Sequence, residues 1–260
     1  MNHSTLNTRI DKNIGKWFLM PGTDSQTKLR LICFPFAGGS ASFYYAWAKK
    51  MPKHVELICI ELPGRGARFH EPLIYHIDSL IPFLVEALKT VLDGHPFIAF
   101  GHSLGALIGF ESLRQLESQG YKARAFIASG RRPPCAPKTE RSLHEMTDEE
   151  LILELERYNG TPAEVLADPE MQALVLPIVK ADSHMNETYT CQPSFKLNCP
   201  IHAFSGTTDP VASPHHIKRW HEHTTAPFNY DVIEGGHFFI KEQEEIFLSH
   251  LTKICQTFIY

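Results

Sequence analysis

A chain of 260 residues suits one α/β domain carrying an inserted subdomain and is short for two large domains. Apolar residues make up 43% and charged residues 21%, the balance of an ordinary globular protein. The formal charge of −4 supplies no basic field for nucleic acid, and no run of about 18 apolar residues offers a membrane span.

The first thirty residues are mostly polar, with no apolar core and no small-residue cleavage site, so a secretory leader is not expected. The six cysteines, Cys33, Cys59, Cys135, Cys191, Cys199 and Cys255, form no C-x-x-C pair. They read as reduced, buried thiols of a cytoplasmic protein, in preference to a disulfide frame or a zinc site.

Arg30–Pro35 (RLICFP) and Val55–Leu62 (VELICIEL) are short apolar runs, the pattern of strands buried on both faces. Between them, Phe36-Ala37-Gly38-Gly39-Ser40 lacks the G-K-[ST] of a P-loop and the spacing of a dinucleotide fingerprint, so nucleotide binding is not expected. Helical periodicity covers Asp78–Leu92, and a third strand is predicted at Pro96–Gly101.

Gly101-His102-Ser103-Leu104-Gly105 follows that strand and opens the next helical pattern, Leu104–Gln119. A serine between two glycines at a strand-to-helix turn is a nucleophile elbow. The glycines let neighbouring backbone approach, and the helix start points amides where an anion is favoured. Ser103 is therefore the predicted nucleophile. Its oxyanion donors would be the N–H of Leu104 and an N–H from the loop after the first core strand, Phe36 with Ala37 as the near alternative.

A further strand is expected at Arg124–Ser129. From about Pro133 to Gln192 no strand pattern follows. Thr147–Tyr158 opens with a capping box, Gly160-Thr161-Pro162 closes it, and Asp168-Pro169 starts another helix running to about Asp182 with a kink expected at Pro177. Such an insertion, at about 133–192 in one domain spanning 1–260, reads as a helical lid over the strand ends. Its apolar residues Leu151, Leu155, Val165, Leu174 and Val175 divide between packing the lid and lining a channel.

Pro200–Ser205 and Phe228–Ile233 are the last predicted strands, separated by a helical pattern at Pro214–Glu222 and followed by one at Glu242–Thr257. The alternation means a mostly parallel sheet flanked by helices, an α/β fold. Asp209, on the turn after Pro200–Ser205, is the predicted acid; Asp182 and Glu234 are its rivals. His237, in Glu234-Gly235-Gly236-His237, is the predicted base. His215-His216 and His221-Glu222-His223 do not match H-E-x-x-H and read as the polar face of a surface helix, with no metal expected.

The motifs together resemble the free-standing type II thioesterases of nonribosomal peptide and polyketide synthesis. The likeness runs from about Leu31 to Leu251 and is carried by FPFAGGSA (34–41), ELPGRGARFHEP (61–72), GHSLGA (101–106), SGRRPP (129–134), YNGTPAEVL (158–166), SGTTDPV (205–211) and EGGHFF (234–239). It implies the α/β-hydrolase fold with a helical lid, and hydrolysis of acyl thioesters on the 4′-phosphopantetheine arm of carrier proteins. Ser103, Asp209 and His237 fall on that family's triad positions. Leu104 departs from the methionine often found there, which touches pocket shape and not the backbone donor. The resemblance implies no bound cofactor or metal, since the partner carries the phosphopantetheine. A monomer is expected, with carrier proteins as partners and neither nucleic acid nor membrane.

Carrier surfaces are generally acidic. Arg65, Arg68, Arg131, Arg132, Lys138 and Arg141 are therefore candidate contacts for the carrier or the arm's phosphate, alongside the reading of plain solvated loop charges. Two rival functions are a carboxylesterase or lipase for small oxygen esters, which keeps the same triad, and a catalytically silent α/β-hydrolase that binds without turnover, which the intact Ser103, Asp209 and His237 set argues against.

Overall fold

The computed structural model describes residues 16–21, 26–137, 141–192 and 194–259. Seven strands form one sheet among these residues: β1 (Phe18–Leu19), β2 (Leu29–Phe34), β3 (Val55–Ile60), β4 (Phe97–His102), β5 (Ala125–Ser129), β6 (Ile201–Gly206) and β7 (Phe228–Ile233). Their order is β1-β3-β2-β4-β5-β6-β7. Only β1 runs antiparallel, against β3.

From β2 the chain winds to one side, to β3, and then crosses to the other side to lay β4 against β2. This is the topological switch point, where crevices open beyond the carboxyl ends of parallel strands. Phe34 of β2 pairs in register with Gly101 of β4, and His102 pairs with Ser129 of β5. The loop after β2 and the turn after β4 are therefore neighbours by construction.

β2, β3, β4 and β5 are buried along their whole length, with Arg30 of β2 and Glu56 of β3 neutralising each other as an ion pair. On one face Ile32, Phe34, Ile58 and Phe126 pack beneath α2 (Ile77–Leu92) and α3 (Leu104–Ser118). On the other, Leu31, Leu57, Phe100 and Phe204 meet α1 (Ala41–Tyr45), Trp47, α8 (Phe239–Glu242) and α9 (Glu244–Thr257). β1 and α1 are too short to leave a periodic signal in the sequence.

Among the described residues between β5 and β6 lie three α-helices, α4 (Asp148–Tyr158), α5 (Ala163–Ala167) and α6 (Pro169–Thr188). Thr147 accepts from the Glu150 N–H, while the Glu150 side chain reaches back to the Thr147 N–H, which fixes the start of α4. Asp168 accepts from the N–H groups of Glu170 and Met171 and so caps α6. α6 extends six residues past the predicted end at Asp182, to Thr188, and Asp182 within it pairs with Arg65 of the main domain. Met146, Leu151, Leu155, Leu166, Leu176 and Val179 form a separate small core for these helices.

Two sequence expectations need correction here. Cys135 and Cys191 are joined as a disulfide, with Cα atoms 5.2 Å apart and 56 residues between them in sequence. They stand at the start and end of the helical insertion, where the chain leaves and returns to the sheet, a juxtaposition that local spacing does not show. The other four cysteines are buried thiols. The segment after β6 is a single α-turn, α7 (Pro214–Ile217), continued as a 3₁₀ turn to His223. His223 is buried against Trp220 and Phe110, and burial lowers its imidazole pKa, so it is not part of a polar surface face.

Candidate active site

The turn after β4 places Ser103 at φ +52 and ψ −118, outside the regions a residue with a Cβ ordinarily adopts. Holding that conformation costs of order 1–3 kcal/mol and is sustained by the surrounding packing. A Cβ on Gly101 would sit 2.1 Å from the Gly105 carbonyl oxygen, and one on Gly105 2.2 Å from the Phe34 carbonyl oxygen. The two glycines thus let the end of β2, the elbow and the first turn of α3 touch backbone to backbone. The Ser103 N–H donates to the Ser129 carbonyl at 2.8 Å, which ties the elbow to β5.

Three side chains from distant parts of the chain meet above this turn. Ser103 Oγ lies 3.1 Å from His237 Nε2. His237 Nδ1 lies 3.1 and 3.0 Å from the two carboxylate oxygens of Asp209. A carboxylate only accepts, so Nδ1 carries the hydrogen and Nε2 is left to accept from the serine hydroxyl. Asp209 follows β6 and His237 follows β7. The two loops are pinned together by Thr208, whose N–H and hydroxyl both donate to the Gly235 carbonyl at 3.0 and 2.9 Å.

The Asp209 side chain is fully buried. Burial pushes its carboxyl pKa up, but hydrogen bonding to His237, its charge, and the N–H groups of Ala212 and Val211 more than reverse this, so the group lies below the ordinary aspartate range. The carboxylate is therefore ionised at neutral pH. Neither rival acid takes this place: Glu234 is exposed, and Asp182 is bound elsewhere.

His102 is a buried neighbour that the sequence reading did not single out. Its ring centroid lies 5.1 Å from that of His237, and Nδ1 lies 2.9 Å from Ser129 Oγ. Burial, reinforced by repulsion from His237, holds its pKa well below the usual histidine value. A neutral ring beneath His237 adds no opposing charge when His237 takes up a proton. Tyr158, at the end of α4, packs on the outer side with its ring 5.8 Å from His237.

A cavity of about 510 Å³ opens onto Ser103 and His237. Phe36, Phe43, Leu155, Val165, Val175 and Val179 form much of its apolar wall. Leu151 instead packs inside the insertion and Leu174 faces outward. Arg131, Arg132 and Arg141 line the same cavity. Arg131 donates to Asn186 Oδ1 on α6, and burial lowers its guanidinium pKa to about 10, which still leaves it cationic. Arg141 pairs with Glu150 at 2.7 Å.

Arg65 and Arg68 do not present their charges to a partner. Arg65 is 5% exposed and binds Asp182 through two N–H groups at 2.6 and 2.8 Å. Arg68 is equally buried, lies 3.7 Å above the Trp17 ring and pairs with Glu71. The glycine-flanked run ELPGRGAR folds its charged side chains inward, so its arginines are internal structure. Lys138 lies outside the described residues.

Residues 29–255 match the model of the thioesterase domain. The chain belongs to the thioesterase family. It is 38% identical over 235 residues to a probable cadicidin biosynthesis thioesterase of Streptomyces griseus, a match covering 90% of this chain and 64% of that protein. It is 36% identical to the thioesterase PikA5 of Streptomyces venezuelae over 90% of this chain and 83% of the relative. Among solved structures, the type II thioesterase BorB from the borrelidin biosynthetic cluster superposes with a TM-score of 0.85 at 35% identity, covering 94% of this chain and 98% of BorB. The thioesterase chain thus has the α/β-hydrolase fold. No helix among its described residues is long and apolar enough to cross a membrane.

Proposed function

We propose that this thioesterase hydrolyses acyl or aminoacyl thioesters carried on the 4′-phosphopantetheine arms of carrier protein domains, clearing misloaded or stalled arms in nonribosomal peptide or polyketide synthesis. The observation that carries the reading is the unbroken hydrogen-bonded sequence Ser103, His237, Asp209, opening into a cavity walled by both apolar and polar side chains. Two of the relatives named above are biosynthetic thioesterases, one of cadicidin biosynthesis and one of the borrelidin cluster, which supports the reading.

The chemistry follows from the geometry. His237 Nε2 takes the Ser103 proton as Oγ attacks the thioester carbonyl, and the Asp209 carboxylate steadies the imidazolium. The N–H groups of Leu104 and Phe36 receive the oxyanion, and each such donor contributes about 3 kcal/mol of barrier lowering. The tetrahedral species expels the pantetheine sulfur, which takes the proton from His237 Nε2 and departs as the thiol, leaving an acyl group on Ser103 and a neutral imidazole. A thiol ionises near pH 8.5, roughly, so the departing sulfur asks little of the acid. Water deprotonated by His237 then hydrolyses the ester, and Ser103 recovers its proton.

The three helices between β5 and β6 serve as a lid that forms the roof of the cavity. Arg131 and Arg132, which line the cavity, are the proposed contacts for the phosphate of the arm or an acidic carrier surface. The enzyme needs no bound cofactor or metal, works as a monomer, and acts in the cytoplasm beside its synthase.

Mass spectrometry of a panel of acyl groups loaded on carrier protein, comparing wild type with Ser103→Ala, tests the proposal. Thioesters should be hydrolysed with higher kcat/KM than p-nitrophenyl esters of the same acyl groups, and Ser103→Ala should abolish turnover. A preference for the oxygen esters would make the enzyme a carboxylesterase. Failure of a fluorophosphonate to label Ser103 would make it a binding protein.

A further inference from the structure

The loop that carries Phe36 is gripped by two buried carboxylates. Gly38 N–H donates to Asp182 Oδ2 at 2.8 Å, and Ala41 N–H donates to Glu61 Oε1 at 3.2 Å. Asp182 belongs to α6, in the insertion, and is 1% exposed. The same Arg65 that binds both its oxygens also donates to the Gly39 carbonyl at 3.2 Å. One carboxylate therefore accepts from the loop and from a guanidinium, while that guanidinium donates back to the loop.

The backbone is shaped to receive this grip. Gly38 has φ +74, and a Cβ there would lie 2.8 Å from Val179 Cγ2, one turn before Asp182 on α6. Gly39 N–H closes the turn onto the Phe36 carbonyl at 2.8 Å. α6 thus rests directly on the turn that orients the peptide groups around Phe36. A buried ion pair is seldom a net source of stability relative to well-packed apolar side chains. This one makes two polar contacts with a single loop of the reaction site, at Gly38 and Gly39, which is a constraint on geometry.

We propose that Asp182 and Arg65 are positioning residues for the oxyanion site: seating α6 on the main domain locks the Gly38–Gly39 backbone and with it the Phe36 N–H. Displacing α6 removes the acceptor from Gly38, so opening the cavity and relaxing the oxyanion site are one event. Hydrolytic power is then reserved for the enzyme with α6 closed over an acyl group. The inference rests on the roles given above to Ser103 and Phe36.

The test compares wild type, Asp182→Asn, the neutral pair Arg65→Gln/Asp182→Asn, and Ser103→Ala. Each is assayed for kcat and KM on an acyl-pantetheine thioester. Each is also titrated with two analogues of the same chain, a trifluoromethyl ketone that forms a hemiketal with Ser103 and an unreactive amide. Weakening an oxyanion donor should lower kcat by about 10- to 100-fold while KM stays within about twofold. Affinity for the ketone should fall in step with kcat/KM, and affinity for the amide should hold. A merely structural role would weaken ketone and amide alike and raise KM. That result, or folded variants with kcat within about twofold of wild type, overturns the proposal. If Asp182→Asn alone does not fold, the neutral pair carries the test; if neither folds, the two residues build the fold and the proposal is overturned. The underlying reading fails separately, if wild type does not hydrolyse the thioester or Ser103→Ala matches it.

Discussion

Gly105→Ala sets two opposing effects against each other at one position of α3. Replacing glycine by alanine inside a helix ordinarily gains about 1 kcal/mol of helix propensity. Here the new Cβ would sit 2.2 Å from the Phe34 carbonyl oxygen, 2.8 Å from its carbon and 2.9 Å from the Pro35 oxygen. Ordinary contact begins near 3.4 Å, so backbone must move by about 1 Å, and no flexible side chain is there to yield. Overpacking of this kind costs roughly 1–3 kcal/mol, which consumes the propensity gain and leaves a net loss of about 0–2 kcal/mol. Activity should suffer far more, because the strand end that must retreat leads straight into Phe36. A displacement of about 1 Å at a reacting centre costs on the order of 100-fold in rate. Gly109→Ala, one turn further along α3, is the internal control: its Cβ meets only the side chains of Phe126 and Phe34, at 3.1 to 3.5 Å. Thermal unfolding and thioester turnover should therefore show two folded proteins, with kcat down about 100-fold for Gly105→Ala and near wild type for Gly109→Ala. Equal activities in the two variants would refute the claim that backbone contact across Gly105 sets the site.

Asp209→Asn should fold and lose on the order of 10⁴-fold in kcat, because the amide no longer holds the Nδ1–H tautomer of His237; steady-state turnover checks this. The folded pKa of Asp209 is depressed below its reference value of 3.8, so its stabilising contribution is complete above that value and is lost as pH falls below it toward the folded pKa. Acid unfolding should accordingly be shallower for Asp209→Asn than for wild type in that window, and identical slopes would contradict the assignment. Val175→Phe fills cavity wall, and should cut turnover of long acyl chains relative to acetyl by about tenfold or more, read from a chain-length series. Oxidised protein should unfold at a higher temperature than protein reduced with a phosphine, since a cross-link spanning 56 residues removes about 4 kcal/mol of unfolded-chain freedom. Equal midpoints would mean the Cys135–Cys191 bond does not constrain the chain.

The central strands β2 to β5 were legible because they are short, mostly apolar runs bounded by turn residues, and burial on both faces leaves such runs few alternatives. Observed ends of the six long strands lie within two residues of the predicted ones. Ser103, Asp209 and His237 were legible for a related reason: each follows a recognisable strand, and parallel strands deliver their following loops to one edge. Two kinds of feature were not. β1, α1 and α5 span two to five residues and carry no period to detect. Contacts made across the fold leave no local trace either. Arg65 reads in sequence as a loop charge free to meet a partner, and only the return of α6 shows that Asp182 neutralises it. The signal that was available is the glycine-rich setting of ELPGRGAR directly after a fully buried strand, where backbone is tight and charged side chains turn inward. Cys135 and Cys191 were missed in the same way.

In the proposed mechanism Ser103 carries the acyl group between two half-reactions. Rapid-quench mass spectrometry of wild type mixed with an acyl-pantetheine thioester measures this directly. The expected result is a transient gain of one acyl mass on the peptide containing Ser103, formed with release of the thiol and lost at the rate of acid production. Turnover at the wild-type rate by Ser103→Ala, or acyl mass accumulating on a different residue, would contradict it.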